Sequence, residues 1–198
     1  MPKHESIDTA MNVVLSEMAE LGLLTDRMYR VKVYSQPIDL FGYVGLYVED
    51  VDPVSHFLGV RGRSIYIPRM TFQQIFKKMA GIGRRCGSIR DVLRHEYGHA
   101  LAVEHPSLIR RSKTFKRVFG DAYDSDESPE GYNSMNHVSK YAATNPAEDF
   151  AESFMVYLRV KGDIEKYRSR PGVYRKLRFC SLLRSKLKKI SIDFDVAA

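Results

Sequence analysis

The run Asp91-Val-Leu-Arg-His-Glu-Tyr-Gly-His-Ala-Leu-Ala-Val-Glu-His105 constrains this chain more than any other stretch, because it sets two histidines four residues apart in a helical sequence. Residues four apart share a helix face, so the imidazoles of His95 and His99 point the same way and can grip one metal ion. Glu96 lies about 100° round the axis from His95. From there its carboxylate can reach a water on that metal without ligating the metal itself. Zinc lowers the pKa of a bound water to about 7 and polarises a carbonyl, so this His-Glu-x-x-His pattern suits zinc-assisted hydrolysis with Glu96 as the base. The plain alternative is a buried amphipathic helix with two incidental histidines. Helical flanks and a matching third ligand downstream weigh against it.

Composition sets the frame for that helix. At 198 residues, 44% hydrophobic and 28% charged, the chain is expected to form one domain spanning 1–198, large enough for its own core. No apolar run approaches the roughly 20 residues that a bilayer span needs. The opening Met-Pro-Lys-His-Glu-Ser-Ile-Asp lacks the apolar core of a signal peptide. The expectation is therefore cytoplasmic residence, or delivery by a route without a cleavable signal, as a monomer. Cys86 and Cys180 are too few for a disulfide framework and sit in no metal-ligand spacing, so both read as reduced thiols.

Strand patterns come first and helix patterns later. Ile7 to Leu24 reads as a helix, with Val14, Met18 and Leu21 on one stripe. Tyr29, Val31 and Val33 alternate with Arg30 and Lys32, which predicts a strand. Phe41 to Val51 predicts a second, and Phe57–Val60 with Ile65–Ile67 a hairpin about Arg61-Gly62-Arg63. Thr71-Phe-Gln-Gln74 opens a helix that ends near Gly81, and Ser88-Ile-Arg-Asp91 opens the His-bearing helix, which Pro106 closes. Ser107–Phe119, Asn145–Val160 and a final amphipathic run through Val173, Leu177, Cys180, Leu183, Leu187 and Ile190 follow. Asp121 to Gly131 is an acidic loop without the spacing of a calcium hand. The fold class is thus α+β: a small, mostly antiparallel sheet (about 25–70) packed on a helical half (about 71–190) that carries the metal helix.

A catalytic zinc takes three protein ligands and keeps a position for water. Two candidates compete for the third. His105 copies the metzincin spacing HExxHxxGxxH, and Ser134-Met135-Asn136 suggests the Met-turn of that group. However, Ala102 stands where a glycine normally breaks the helix, and a helix running on to Glu104 carries His105 to the opposite side. Glu148 is the other candidate, on a second helix. Glu152 follows on the same face, where it could accept the other ring N–H of a ligand histidine. With Asn145 as N-cap and Pro146 next, Glu148 also falls at the capping-box position, which explains a Glu there but not Glu152.

His95-Glu96-Tyr97-Gly98-His99 followed by Tyr141…Asn145-Pro-Ala-Glu148-Asp-Phe-Ala-Glu152 resembles the anthrax-lethal-factor-like zinc peptidases, a gluzincin group that includes the clostridial Pro-Pro endopeptidases. Their signature is HExxH, then a Tyr seven residues before a ligand Glu inside an E-x-F-A-E run. The resemblance implies a minimal gluzincin-like catalytic domain with one zinc ion on His95, His99 and Glu148, and Glu96 as general base. It also implies that Tyr141, otherwise one of twelve tyrosines, donates its hydroxyl to the developing oxyanion. In gluzincins the substrate lies beside an edge strand near the metal helix, and Ser64–Pro68 is the candidate here. Asp149, where an aromatic is common, and the acidic insert depart from the pattern and leave substrate choice open. The expected partner is a protein or peptide substrate. A non-catalytic zinc-dependent binding protein is the remaining alternative, though a structural zinc needs neither Glu96 nor Tyr141.

His4, His56 and His137 have no partner at ligand spacing, although His137 is close enough to Tyr141 to reach the rim of the site. The net charge is +7. Ten Lys and Arg lie between Lys166 and Lys189 with no acid among them, so the rest of the chain is slightly acidic. This tail reads first as the solvated face of a docked helix. Attraction to an acidic protein substrate or a phosphate-rich surface is the alternative. Without interleaved aromatic residues, it does not read as a nucleic-acid domain.

Overall fold

Described residues of the computed structural model are 5–36, 46–48, 63–68 and 88–195. The first helix, α1 (Ile7–Glu20), starts where the Ser6 hydroxyl accepts from the Thr9 amide and stops ahead of Gly22, whose φ of 64° suits glycine. Ala10, Val14 and Met18 make its buried stripe. A single helical turn, α2 (Asp26–Tyr29), follows behind a Thr25 cap. The strand expected from Tyr29 therefore begins later, as β1 (Lys32–Gln36): the Thr25 hydroxyl takes the Met28 amide and winds the first residues of the alternating run, leaving Tyr29 exposed.

Two further strands, β2 (Leu46–Val48) and β3 (Ser64–Pro68), complete a sheet of order β1-β3-β2 among the described residues. β1 pairs parallel with β3, from Lys32↔Ser64 to Gln36↔Pro68, while β2 pairs antiparallel, from Leu46↔Tyr66 to Val48↔Ser64. The α+β class holds, but the sheet is mixed rather than mostly antiparallel. A parallel pair cannot be closed by a tight turn, and the chain from Gln36 to Ser64 is long enough for the crossover. Ser64–Pro68, expected as an edge strand, lies in the middle with a partner on each side; β2 is the outer strand beside the helix that carries His95 and His99. The Phe57–Val60 arm of the expected hairpin, the Thr71–Gly81 helix and Cys86 lie outside the described residues.

Among the described residues, the other half is formed by α3 (Ile89–Glu104), α4 (Lys113–Phe119), α5 (Pro146–Arg159) and α6 (Pro171–Asp195). Ser107–Phe119 is one expected helix but two observed elements. Turns occupy 106–111, and helix resumes only after the Ser112 hydroxyl accepts from the Phe115 amide. α3 is buried nearly all round, against α1, α5 and the inner face of the sheet. Ile65, Ile67 and Tyr47 join this core, whereas Tyr34 and Tyr66 stack on the opposite face with Val48 beside them. Cys180 is a buried free thiol on α6.

Ion pairs pin α3 at both ends. Arg94 donates to Glu17 of α1 at 2.7 and 2.8 Å and to Asp91 at 2.6 Å, all buried. In the last turn, Glu104 receives Arg63 at 2.6 and 2.8 Å and the Tyr47 hydroxyl at 3.3 Å. His105 caps the helix, its Nε2 3.0 Å from the Thr25 hydroxyl.

Removing one member of a buried charge network strands the rest, so Arg94→Met is expected to cost about 3–5 kcal/mol, read as a drop in Tm. A second expectation concerns pH. Burial, with the Arg27 guanidinium nearby, holds the His105 imidazole below its ordinary 6.5, and burial with Lys176 does the same for His137. The unfolded chain binds protons that these folded rings resist, so their stabilising effect is complete above about pH 6.5 and is lost as the pH falls. His105→Gln should flatten part of that acid-side slope in melts from pH 7 to pH 5, leaving the His137 share.

Candidate metal centre

Glycine in a helix interior costs about 1 kcal/mol relative to alanine, so Gly98 within the His-Glu-Tyr-Gly-His run calls for a packing reason. A Cβ built there would meet the Ala151 Cα at 3.0 Å, with the Ala151 and Phe154 Cβ atoms at 3.4 Å. The missing side chain lets α3 and α5 approach backbone to backbone. That approach brings the first turn of α5 over His95 and His99.

At the crossing, three side-chain atoms converge. His95 Nε2 lies 3.1 Å from His99 Nε2 and 3.0 Å from Glu148 Oε2, and the latter is 3.6 Å from His99 Nε2. Among the described residues this is the one cluster of His, Cys, Asp or Glu whose ligand atoms all lie within 4.8 Å of one another. The opposite ring atoms set the tautomers. His95 Nδ1 is 2.9 Å from Glu152 Oε1, and an ionised carboxylate only accepts, so Nδ1 carries the proton. Glu152 is fully buried, and its second oxygen takes the Ser139 hydroxyl at 2.7 Å. His99 Nδ1 lies 2.8 Å from the Tyr123 hydroxyl. The Tyr123 hydroxyl can accept from His99 Nδ1 as Glu152 does from His95 Nδ1; in that arrangement two Nε2 lone pairs and a carboxylate oxygen face one another. Three acceptors in contact need a cation among them, and two imidazoles with one carboxylate are a borderline donor set that suits zinc.

Local sequence explains why Glu148 is available. The Asn145 side chain caps α5 by accepting from the Glu148 amide at 2.9 Å, and Pro146 fills the first helical position. The Glu148 carboxylate turns to the imidazoles, not back to the Asn145 amide, and its Oε2 is buried without a hydrogen-bond donor. Burial works to raise this carboxyl, but His99 and His95 outweigh it and hold it well below its ordinary range. Protons on the rings or a metal ion can answer its charge, so the two compete.

The other sequence-derived residues fall as follows. Glu96 is buried, and its Oε2 accepts the Tyr47 amide of β2 at 3.1 Å. Tyr141 lies on a 3-10 turn (Tyr141–Ala143), its ring 6.0 Å from that of His95. His105 sits at the far end of α3 on Thr25, because Ala102 lets the helix run on to Glu104. Met135 is 43% exposed and forms no floor under the rings. Its turn is gripped instead by α6 and the residue before it, through Arg170 on the Ser134 carbonyl, the Val173 amide on Met135 and Lys176 on Asn136. His137 is buried, 3.9 Å from Asp149; His4 and His56 lie outside the described residues. Burial pushes the Asp149 carboxyl up to about 7 against the pull of Lys176, whose ammonium is 2.5 Å away.

Tyr123, Ser139 and the Tyr47 amide are not legible as site groups from sequence. Tyr123 stands in an acidic stretch that reads as solvated; its one signal is an aromatic ring among Asp121, Asp124 and Asp126.

Residues 88–175 match the model of a family described as "Putative zinc-binding metallo-peptidase", a span that holds His95, Glu96, His99, Tyr141, Glu148 and Glu152. The match supports a zinc-binding peptidase. No curated protein and no solved structure matches the chain. Among the described residues no helix is long and apolar enough to cross a membrane.

Filling an open helix-interior glycine with alanine normally stabilises, but overpacking costs about 1–3 kcal/mol. Gly98→Ala is expected to lower Tm and weaken zinc retention by separating the two helices, measured by calorimetry and elemental analysis after dialysis. Acidification should release the metal, because metal binding needs deprotonated donors and so weakens as the pH falls. Zinc content after dialysis at pH 5 should fall well below that at pH 7.

Proposed function

We propose that this protein is a single-domain zinc-dependent endopeptidase in which His95, His99 and Glu148 hold one zinc ion, Glu96 is the general base and Tyr141 stabilises the oxyanion. The convergence of two Nε2 lone pairs and the Glu148 oxygen carries the reading. The family match over residues 88–175 and the resemblance in the two motifs support it. Zinc bound there would supply a Lewis acid that acidifies water and polarises a carbonyl.

Glu96 supplies the proton acceptor. The Tyr47 amide fixes Oε2 and orients the carboxylate, leaving Oε1 to take a proton from the attacking water and then hand it to the nitrogen of the leaving amine. Tyr141 would donate its hydroxyl to the carbonyl oxygen as that oxygen gains charge, an interaction strongest in the transition state. Its turn is held by the Ala142 amide on Ser139, and Ser139 in turn bonds Glu152, which orients His95. The oxyanion donor and the metal ligand thus share a support. Substrate is a protein or peptide.

The test pairs zinc content with digestion of a proteome-derived peptide library. Glu96→Gln should keep zinc and lose cleavage by about 10²–10⁴-fold. Glu148→Ala should lose zinc, and His105→Ala should keep both. Wild-type cleavage by Glu96→Gln would overturn the assignment of the base. A wild type that holds zinc yet cleaves nothing would make this a zinc-dependent binding protein instead.

A further inference from the structure

Behind the site lies a cluster of aromatic rings that includes Phe115, Phe119, Phe150 and Phe179. Tyr123 joins it, 6% exposed, its centroid 5.6 Å from Phe115 and 6.4 Å from Phe150. Packing accounts for the ring but not for the hydroxyl. A buried phenol needs a polar partner, and this one lies 2.8 Å from His99 Nδ1.

We infer that Tyr123 is the positioning residue for His99 and that, through it, the loop 121–131 helps set metal affinity. This rests on the metal reading above. With Nδ1–H donated to the phenol oxygen, the imidazole cannot swing about its Cβ–Cγ bond without losing that bond. Its Nε2 stays aimed at the point that His95 and Glu148 also face. The two histidines are supported unequally. His95 leans on Glu152, a carboxylate inside helix α5. His99 leans on a phenol in a loop that leaves α4 at Gly120, whose φ is 93°. Apart from the Ser128 amide on the Thr144 carbonyl, that loop is held by surface pairs, Asp124 to Arg110 at 2.7 Å and Asp121 to Lys116 at 2.9 Å, with the Arg110 guanidinium 5.9 Å over the Tyr123 ring. Exposed pairs are screened by salt. The alignment of His99 therefore depends on a less firmly held segment than that of His95.

Tyr123→Phe tests this cleanly, because it deletes one oxygen and keeps the ring. Zinc affinity of the full chain would be measured by competition with a chromophoric chelator, beside His99→Ala, and amide hydrogen exchange followed with and without zinc. Tyr123→Phe should raise the zinc dissociation constant by about tenfold or more while the metal-free Tm stays at the wild-type value. Zinc should slow exchange across 121–131 in the wild type and do so less in the variant. A dissociation constant changed by less than about threefold, or wild-type loop exchange indifferent to zinc, would overturn the inference. If His99→Ala bound zinc as well as wild type, the metal reading itself would fall, and the inference with it.

Discussion

The close passage of α3 over α5 is the contact on which the rest of this structure depends. Gly98 and Ala151 face each other with little room for a methyl group, and the two helices carry His95 and His99 on one side of the crossing and Glu148 on the other. Neither helix carries the whole donor set. α3 brings two rings, and α5 brings one carboxylate for the centre and a second that orients a ring. Any change in helix separation is felt at once by all three converging atoms, since each touches the other two. The Arg94 and Glu104 networks matter in this light because they lock α3 to α1 and to the sheet, so the crossing has a rigid side.

How much of this could be read in the sequence follows from distance along the chain. His95, Glu96 and His99 share one helix, and a fixed period dictates their relative placement. Glu148 and Glu152 share another, and the same period predicts their common face. Two local periodicities thus describe each half of the centre, and the resemblance supplied the link between them. What local pattern cannot encode is which distant segment supplies a hydrogen bond. Tyr123 reaches His99 from a loop, and the Tyr47 amide reaches Glu96 from a strand. The backbone amide has no sequence signature at all.

The sheet shows the same division. Alternation marked Val33, and the expected hairpin about Arg61-Gly62-Arg63 marked Ile65 and Ile67, as strand residues, but neither pattern announced the pairing of β3 with β1 and β2 or its directions. The central place of β3 and the parallel β1–β3 register are set by tertiary packing. A one-residue polar cap at Thr25 was enough to shift the start of β1. At Ser112 a similar cap split one apparent helix into a turn region and a short helix. These are small side-chain choices that override a broad hydrophobic pattern.

The basic C-terminal run is less uniform than its composition suggests. Most of its cations face water, but Lys176 lies inside, between the Asp149 carboxylate and the Asn136 carbonyl. Three acids crowd the start of α5, and this ammonium is the charge that α6 contributes against them. The last helix is therefore no detachable appendage. A chain that ended before Lys176 would leave Asp149 facing Glu152 without a counterion, and the carboxylate-bearing turn would have to shed a charge or open to solvent.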